Sequence, residues 1–536
     1  MSASQIDNIK SLVLPQVDHI RNVILERVIP GLKNHKYSCL ATAIALYVAA
    51  KVYKLTAYPR NIRHIKHVPF HSMLISLIKG ENNFVRSERY MISTYKETNG
   101  FLGEFNQLGW NVIIANPEAV RTMLYKTELW PKAHTNGPSR QTLLGRFFGR
   151  TNMAFENGHE WRRRRKIANP AFHRSMPVKT FTALSNKMLQ QIDRSEGPVH
   201  IQLLLQRFTL DAIGLIGFGF EFNATENPDG EWVTRYNDIN EHMLDFKFLL
   251  VPQFDTSLVS FFPKRQKTHE SLTKLNELFE EIIESKKAYL SKTASDIEDS
   301  EKDLLTLMLE AGQGDDPKEA LSAEELRNEL VLFFVAGHDT TSNALTAALY
   351  YLACNPDIQD RARKEVLEVL GDKETGISPT LEQLKELTYL TRVMKETARI
   401  APPATQVFPR VAAVDTELCG VHMPKGTVVN IDITGMHFNP HLWRDPLKFD
   451  PERFAPGGEL ETMPSTYAYL PFSSGSRQCI GMNFSLAEQR VALSAILQKY
   501  ELTLPEDSIH KDSLKFGKHG IVLAAEDLHI NFKSRY

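Results

Sequence analysis

The sequence predicts a mainly α-helical protein with minor β structure, and three features lead to this fold class. Residues 330–354 form a long apolar run, and Ser322 and Glu325 ahead of it have the spacing of a capping box, which marks a helix start. Residues 420–434 have the pattern of short strands joined by a turn, and residues 519–532 alternate like a further hairpin. We therefore expect a helical body with a small amount of sheet in the C-terminal third.

Composition narrows the class of protein further. The chain has 536 residues, 42% of them hydrophobic, and its 63 Lys and Arg against 64 Asp and Glu leave a net charge of -1. This balance is typical of a large globular protein and gives no overall attraction to nucleic acid. The four cysteines lack CxxC spacing, which disfavours a disulfide framework or a structural zinc site and favours a reduced, cytosol-facing location: Cys39, Cys354, Cys419 and Cys479.

The N-terminal region predicts a membrane anchor ahead of one large domain. Residues 1–36 have apolar residues at helical spacing, which indicates an amphipathic extension. Residues 37–53 contain one charged side chain and would span roughly 25 Å as a helix, a marginal transmembrane segment, with a buried or interfacial helix as the alternative. Residues 54–70 form a basic, proline-containing linker without acids, which should hold the following domain, 71–536, in the cytosol.

A basic run, 161–166, reads Trp-Arg-Arg-Arg-Arg-Lys within a helical pattern. Its ordinary interpretation is a solvated helix face. A nucleic-acid-binding patch is disfavoured, because no aromatic residues are interleaved and no wider basic surface accompanies the run.

The long apolar helix carries an unusual polar motif, Ala-Gly-His-Asp-Thr-Thr, at 336–341. Gly337 costs about 1 kcal/mol relative to alanine inside a helix, which calls for a reason such as the close approach of a ligand. Asp339 and Thr340 stand in an apolar run, where an acid is costly unless it is functional or paired. Taken alone, the motif fits a water-solvated helix kink as well as a catalytic site.

Glu396 and Arg399 are spaced i,i+3 on a further helical segment. In isolation such a pair is usually a surface salt bridge worth a few tenths of a kcal/mol.

The sharpest motif is the loop Phe-x-x-Gly-x-Arg-x-Cys-x-Gly at 472–481, which precedes a helical pattern at 483–500. Gly475 and Gly481 let the backbone fold closely around the Cys479 sulfur near a helix start, where N–H groups stabilise a thiolate. Arg477, two residues earlier, can meet an anionic group. A lone cysteine in a glycine-rich loop is most often only a small buried side chain.

The whole loop, however, resembles the haem-binding loop of the cytochrome P450 family, and three separate motifs in the family's order extend the likeness from about residue 100 to the end. The resemblance implies the mostly α P450 fold, a haem b cofactor, and Cys479 as its axial thiolate, with Phe472, Gly475, Arg477 and Gly481 around it. The motif at 336–341 looks like the oxygen-activation motif, so Asp339 and Thr340 would deliver protons.

The same resemblance assigns the charged motifs. Glu396, Arg399 and Arg453 match the buried network that supports the haem loop, and Ala398 departs from the usual leucine without touching the ion pair. Trp161, Arg165, Arg410 and Arg477 fall where the family contacts the haem propionates. The rest of the basic run would then face outward toward an acidic reductase: Arg162, Arg163, Arg164 and Lys166.

As a member of this family, the chain is expected to be a haem-thiolate monooxygenase on the endoplasmic reticulum membrane, with its catalytic domain in the cytosol. Because no GxGxxG follows a strand, electrons must come from an NADPH-cytochrome P450 reductase, with cytochrome b5 as an additional partner. Two alternatives are a haem-thiolate isomerase or dehydratase, which would not need the acid-alcohol pair, and a haem-binding sensor without turnover.

The substrate pocket is expected to draw on four segments: 135–148, 246–262, 404–408 and 516–520. Their apolar to mixed composition indicates a lipophilic substrate. The residues of the motifs Gly-His-Glu-Trp-Arg and Ala-Gly-His-Asp-Thr-Thr-Ser most resemble those of the fungal and long-chain-hydroxylase branches of the family. This resemblance suggests a steroid, a fatty acid or a small aromatic compound as the substrate.

Overall fold

A computed structural model describes residues 36–106, 109–133, 141–173, 176–293, 302–311, 320–373, 378–517 and 522–536. The expected amphipathic extension therefore lies outside the described residues, except for Lys36. The chain divides into two units, Met1–Arg60 and Asn61–Tyr536.

In the first unit, the described residues form the helix α1 (Lys36–Thr56). At about 1.5 Å per residue, its 21 residues measure about 31 Å, which is longer than the expected segment and close to the thickness of a bilayer core. Among its described side chains, Tyr37, Leu46 and Tyr53 are exposed. The apolar stretch Leu40–Tyr53 is shorter than a usual membrane span.

The second unit is mainly helical, as the sequence predicts. Its helices, in chain order within the described residues, are α2 (Phe70–Ile78), α3 (Asn83–Arg86), α4 (Ile92–Tyr95), α5 (Pro117–Tyr125), α6 (Leu143–Phe148), α7 (Gly158–His173), α8 (Val178–Asp193), α9 (Ile201–Ala212), α10 (Glu231–His242), α11 (Phe246–Leu250), α12 (Pro263–Thr293), α13 (Leu304–Ala311), α14 (Ala323–Cys354), α15 (Pro356–Leu370), α16 (Leu381–Glu386), α17 (Thr388–Ile400), α18 (Ile433–His437), α19 (Glu459–Thr462) and α20 (Met482–Lys499).

Strands contribute a minor part of the second unit. They are β1 (Phe101–Asn106), β2 (Gly109–Ile114), β3 (Val199–His200), β4 (Arg410–Val411), β5 (Thr416–Leu418), β6 (Val421–Met423), β7 (Val428–Ile431), β8 (Tyr500–Thr503) and β9 (His529–Ser534). In the described chain they form sheets of order β1-β2-β7-β4, β3-β9-β8 and β5-β6. Neighbouring strands are antiparallel except for β2 and β7, which are parallel.

The long helix α14 lies in the middle of the hydrophobic core. Ser322 caps it, and the capping box forms in both directions: the Glu325 N–H donates to Ser322 Oγ at 3.2 Å, and the Ser322 N–H donates to Glu325 Oε2 at 2.9 Å. Most of its side chains are buried, including Leu330, Leu345 and Leu349. This element begins and ends where the sequence predicts.

The C-terminal hairpin expected at 519–532 lies partly outside the described residues; beside that gap an isolated antiparallel bridge joins Phe516 to Ala525, and the Gly517 N–H donates to Ala524 O at 2.9 Å. The gap comprises residues 518–521, and β9 pairs with β8, which follows α20, and with β3. The predicted strands of 420–434 are present as β6 and β7, but they belong to different sheets. Alternation indicates a strand correctly, yet it does not identify its partner when the pairing is between distant segments.

Within the described residues, one helix is long and apolar enough to cross a membrane by composition. It spans Ile201–Phe218, comprising α9 and the π-helical turn after it, with a mean hydropathy of 1.3. Because 72% of this stretch is buried inside the second unit, it is a core helix.

Candidate functional site

The loop that contains Cys479 is held by its own backbone. The Cys479 N–H donates to Phe472 O at 3.0 Å, and a 3₁₀ turn, Gly475–Arg477, lies between them. Gly475 has a φ of +71°, and a Cβ there would lie 3.2 Å from Leu124 O, so both conformation and space favour glycine. Gly481 precedes α20, and a Cβ on it would come no closer than 3.9 Å to Phe172, so the protein alone does not require glycine there.

The Cys479 side chain is exposed and therefore accessible to a ligand. Desolvation by the surrounding protein raises its pKa, whereas the Gly481 N–H and the charge of Arg165 act in the opposite direction. Both of these groups favour the thiolate form that a metal requires. The start of a helix beside the sulfur is thus present as the sequence predicts.

Four cations gather near this loop: Lys132, Arg165, Arg410 and Arg477. Burial lowers the pKa of Arg410 to about 10, and burial together with Arg410 and Arg165 lowers the pKa of Arg477 to about 9. Desolvation and the charges of the three arginines also lower the pKa of Lys132. Lys132, which the motifs did not indicate, is 8% exposed, and its Nζ donates to Ala154 O.

The guanidinium groups in this cluster have unused hydrogen-bonding capacity. Arg410 is fully buried and donates to Trp130 O at 3.3 Å, but its Nε and Nη2 have no hydrogen-bond partner among the described residues. Arg477 lies over the Trp161 ring at 3.9 Å, and its Nη1 is likewise unpartnered. Buried guanidinium groups without acceptors are costly. Carboxylates such as the two haem propionates would satisfy them, so these residues fit the expected cofactor.

The helix α7 presents Trp161 and Arg165 to an open cleft of about 430 Å³. The two residues are one helical turn apart, which places both side chains on the same face. Arg162 and Lys166 also line this cleft and are exposed, as expected for the basic run.

The expectation that Arg163 and Arg164 face outward is wrong. They are 6% and 3% exposed and bind acids of α14: Arg163 Nη2 lies 2.9 Å from Glu325 Oε1, and Arg164 Nη1 lies 2.8 Å from Glu329 Oε1. Consecutive residues of a helix point about 100° apart, so four in a row cannot share one face. Burial raises the pKa of Glu329 to about 7, against the opposing effect of Arg164.

On α14, the acid and the alcohol of the 336–341 motif have different surroundings. Asp339 is 3% exposed, whereas Thr340 is half-buried and its Oγ1 donates to Ala336 O at 2.8 Å. The next residue, Thr341, joins α14 to the helix after the cysteine loop, with Thr341 Oγ1 lying 2.8 Å from Ser485 Oγ.

Asp339 is paired with residues from three directions. Gln206 Nε2 of α9 donates to Oδ1 at 3.2 Å, Tyr236 Oη of α10 donates to Oδ2, and His338 Nε2 lies 3.1 Å from Oδ1. Burial opposes ionisation of Asp339, but His338, Tyr236 and Gln206 outweigh it and lower its pKa. Tyr236 and Gln206 were not identified from the sequence, because their contact with Asp339 arises only from helix packing.

Packing against a neighbouring segment explains the glycine at position 337, whether or not a ligand also approaches it. A Cβ at this position would lie 2.7 Å from Ile213 Cγ1 and 2.9 Å from Ile213 Cδ1, distances that force a shift. The glycine therefore lets the segment that follows α9 approach α14 closely.

The structure brings Glu396, Arg399 and Arg453 together in the interior. Arg399 Nε and Nη2 donate to Glu396 at 2.7 and 2.8 Å, and Arg453 Nε lies 3.3 Å from Glu396 Oε1. Glu396 and Arg399 are fully buried and Arg453 is 4% exposed, so the surface-pair interpretation does not apply. The Asp450 N–H completes the environment of the carboxylate at 2.9 Å.

A further buried ionic cluster connects two of the expected pocket segments. Asp255, which is 3% exposed, accepts from Arg265 and from the Leu143 N–H at 2.9 Å, and it lies 2.9 Å from His269 Nε2. Burial would raise its pKa, but these hydrogen bonds hold it at about 2. Asp255 thus attaches the start of α6 to the segment 252–269.

Replacing Asp255 by Asn is expected to lower the free energy of unfolding by about 2 kcal/mol at about pH 7, since each pH unit between folded and unfolded pKa is worth about 1.4 kcal/mol. The folded pKa lies below the unfolded one, so this stabilisation is present above about pH 4 and is lost as the pH falls toward 2. Urea unfolding of both proteins from about pH 7 to 3 measures the difference, with Glu284→Gln, whose side chain is 69% exposed, as the control. A difference that stays constant over this range would contradict the assignment.

A family model described as Cytochrome P450 matches residues 75–532. The relatives include Cytochrome P450 4c21 of Blattella germanica, 31% identical over 73% of this chain and 77% of its own length. Others are a taurochenodeoxycholic 6 alpha-hydroxylase of Sus scrofa, 29% identical over 79% and 82%, and Cytochrome P450 3A29 of the same animal, 27% identical over 88% and 92%.

Proposed function

This chain belongs to the cytochrome P450 family, and we propose that it hydroxylates a lipophilic substrate at a haem whose axial ligand is the Cys479 thiolate. It is a monooxygenase of the oxidoreductase class, which binds haem b and receives electrons from NADPH through a reductase. The observation that carries the assignment of the site is the buried cation cluster beside an exposed cysteine. When bound, the haem supplies the iron at which molecular oxygen is cleaved, and thiolate ligation favours that cleavage.

In this proposal the chain's own residues bind and orient the cofactor. Arg410 and Arg477 offer their unpartnered N–H groups to the propionates, and Trp161, whose ring lies under Arg477, and Arg165 complete the set. Phe472 supports the loop through its carbonyl, which accepts the Cys479 N–H. The outcome is a preformed anion site that needs little rearrangement on binding.

Proton handling is proposed for Thr340 and Asp339. Thr340 is half-buried, so its hydroxyl can bind a water. Asp339 is buried, and its carboxylate accepts hydrogen bonds from Tyr236 and Gln206. Because these partners favour the ionised form of Asp339, its carboxylate serves as a relay that accepts a proton delivered from solvent and passes it toward the Thr340 Oγ1.

Thr340→Ala is expected to leave folding and haem content nearly unchanged, because alanine has a higher helix propensity and little volume is lost. Proton delivery should fail, so NADPH consumption continues while hydrogen peroxide replaces product. Product formed per NADPH oxidised, together with peroxide release, measures this in membranes that contain a reductase. The matched control is Thr346→Ala on the same helix, whose Oγ1 makes the same type of bond to Ser342 O at 2.7 Å. Wild-type coupling in Thr340→Ala would make Thr340 a structural residue.

We propose a steroid, fatty acid or small aromatic as the substrate. A relative named as a taurochenodeoxycholic 6 alpha-hydroxylase supports the first class. Of the expected pocket segments, residues 135–140 and 518–520 lie outside the described residues, but Phe408 is 46% exposed and its ring lies 5.5 Å from that of Phe155. Exposed aromatic rings of this kind suit an apolar ligand.

The proposed function is tested with the full-length protein in membranes supplied with NADPH and a reductase. Binding spectra are recorded for one compound of each substrate class, and the binders are then assayed for a hydroxylated product. Product that requires NADPH, oxygen and the reductase is expected. A conversion that proceeds without the reductase would instead indicate an isomerase or dehydratase, and binding without any product would indicate a sensor.

For location, we propose that α1 anchors the protein in the endoplasmic reticulum membrane and that the second unit faces the cytosol. The exposed apolar surface of α1 and the basic residues that follow it support this orientation. The exposed basic side chains Arg162 and Lys166 would then be available to an acidic redox partner, either the reductase or cytochrome b5.

Deleting residues 1–55 is expected to reduce membrane association while haem incorporation persists. Some residual association is expected, because Leu250, Leu258 and Phe261 are 66%, 38% and 77% exposed and form an apolar surface that suits contact with the bilayer. Sedimentation with membranes and the haem absorption of the soluble fraction measure both effects. If the shortened protein stays fully membrane-bound, α1 is not the anchor.

A further inference from the structure

His437, the last residue of α18, lies between the buried ionic cluster and the cysteine loop. Its ring is fully buried, and both ring nitrogens have partners. The Leu470 N–H donates to Nε2 at 3.1 Å, and Nδ1 lies 3.0 Å from Arg399 O. Since a backbone N–H can only donate, Nε2 is the acceptor, and Nδ1 carries the proton that it donates to Arg399 O.

This arrangement requires a neutral ring. A second proton on Nε2 would face the Leu470 N–H, and burial together with the Arg399 charge lowers the pKa of His437 to about 3. The ring therefore keeps one tautomer throughout the ordinary pH range and forms two fixed hydrogen bonds.

On one side, His437 forms two hydrogen bonds with Arg399. Its ring donates to the Arg399 carbonyl, and its own carbonyl accepts from Arg399 Nη1 at 2.8 Å. Arg399 is the residue that binds Glu396 most closely, so the ring is tied to the centre of the buried ionic cluster.

On the other side, His437 binds the backbone of Leu470, two residues before the cysteine loop begins at Phe472. Leu470 is 4% exposed, and its carbonyl accepts the Ser473 N–H at 3.3 Å. Ser473 has a φ of +57°, and Phe472 next to it accepts the Cys479 N–H. A displacement of Leu470 would thus be transmitted directly to the backbone that positions the sulfur.

We propose that His437 is a positioning residue that couples the Glu396–Arg399–Arg453 cluster to the loop of Cys479. This inference rests on the proposed function, in which Cys479 binds the haem iron. By accepting the hydrogen bond from the Leu470 N–H, the ring keeps the Cys479 sulfur in the position from which it binds the iron. The contrasting role is that of an ordinary buried histidine, which would affect stability alone.

Two variants separate the two bonds of the ring. The amide nitrogen of His437→Asn reaches the position of Nδ1 and can still donate to Arg399 O, but the Leu470 N–H loses its acceptor. The amide oxygen of His437→Gln reaches the position of Nε2 and can accept from the Leu470 N–H, but the bond to Arg399 O is lost. The control is His441→Asn, an exposed histidine four residues later.

The readouts are the Soret band of the CO-bound ferrous holoenzyme, which is red-shifted by thiolate ligation, the rate of haem transfer to an acceptor protein, and thermal unfolding. For His437→Asn we expect a large fraction of the band to lose its red shift, with haem loss about 10-fold faster than in His437→Gln at equal haem content. The control should match the wild type.

Two results would overturn the inference: unchanged bands in both variants, or equal losses in both that follow their unfolding temperatures. If one variant does not retain haem, the other is compared with the wild type. His437→Gln keeps the bond to the loop, and His437→Asn keeps the bond to Arg399 O. A wild-type enzyme without the red-shifted band would instead refute the proposed function, so the two failures are distinguishable.

Discussion

Glu396→Ala is expected to lower the free energy of unfolding by about 3–5 kcal/mol and to prevent stable haem incorporation. The carboxylate is fully buried and binds Arg399 and Arg453, which are themselves buried. Burial raises the pKa of Glu396 while both arginines oppose this, so the group depends on its cationic partners. Removing it leaves the fully buried Arg399 guanidinium without a counterion, the costly case for an ion pair, while Arg453 keeps its ion pair with Glu459.

Urea unfolding and the haem-to-protein absorbance ratio measure this effect. Glu226→Ala is the control, because its pair with Lys187 is 47% and 40% exposed and should contribute less than about 1 kcal/mol. Glu396→Gln keeps the shape and one acceptor, so it should fall between the wild type and Glu396→Ala. A loss in Glu396→Ala no larger than in the control would mean that the cluster does not stabilise the fold.

The elements that could be predicted are those specified by neighbouring residues. The capping box of Ser322 and Glu325 and the apolar run after them depend on residues within one helix, and α14 has the predicted bounds. The partner of β9 could not be predicted, because β8 is separated from it by more than twenty residues and alternation is shared by many strands. The fold class was therefore accessible from the sequence, whereas the sheet topology was not.

The same distinction applies to the site. The loop of Cys479 is one continuous motif, so its residues could be named from spacing. The pairing of Asp339 with Tyr236 and Gln206 joins three helices, and the burial of Arg164 depends on Glu329, far along the chain. One signal was available: an acid such as Glu329, directly before an apolar run, requires a partner when it is buried. The sequence could not indicate which arginine supplies it.

Cys479→Ala is expected to abolish the red-shifted Soret band of the CO-bound ferrous enzyme. The band depends on a thiolate ligand, and Cys479 is the cysteine at which the charge of Arg165, a member of the cation cluster, opposes the rise in pKa that desolvation causes. Because the side chain is exposed, its loss opens no cavity in the core, and the fold should survive. The absorption spectrum, with far-UV circular dichroism to verify the fold, measures the result.

The matched controls are Cys354→Ala and Cys419→Ala. Both side chains are exposed, Cys354 at the end of α14 and Cys419 in the turn between β5 and β6. Desolvation by nearby protein atoms raises the pKa of each thiol, as it does for Cys479; a hydrogen bond with Tyr350 opposes this at Cys354, but only at Cys479 does a cation, Arg165, favour the thiolate. Both controls should keep the red-shifted band. A band that survives Cys479→Ala and disappears in either control would assign the iron ligand to that other cysteine, and the cation cluster would then have to bind a different anion.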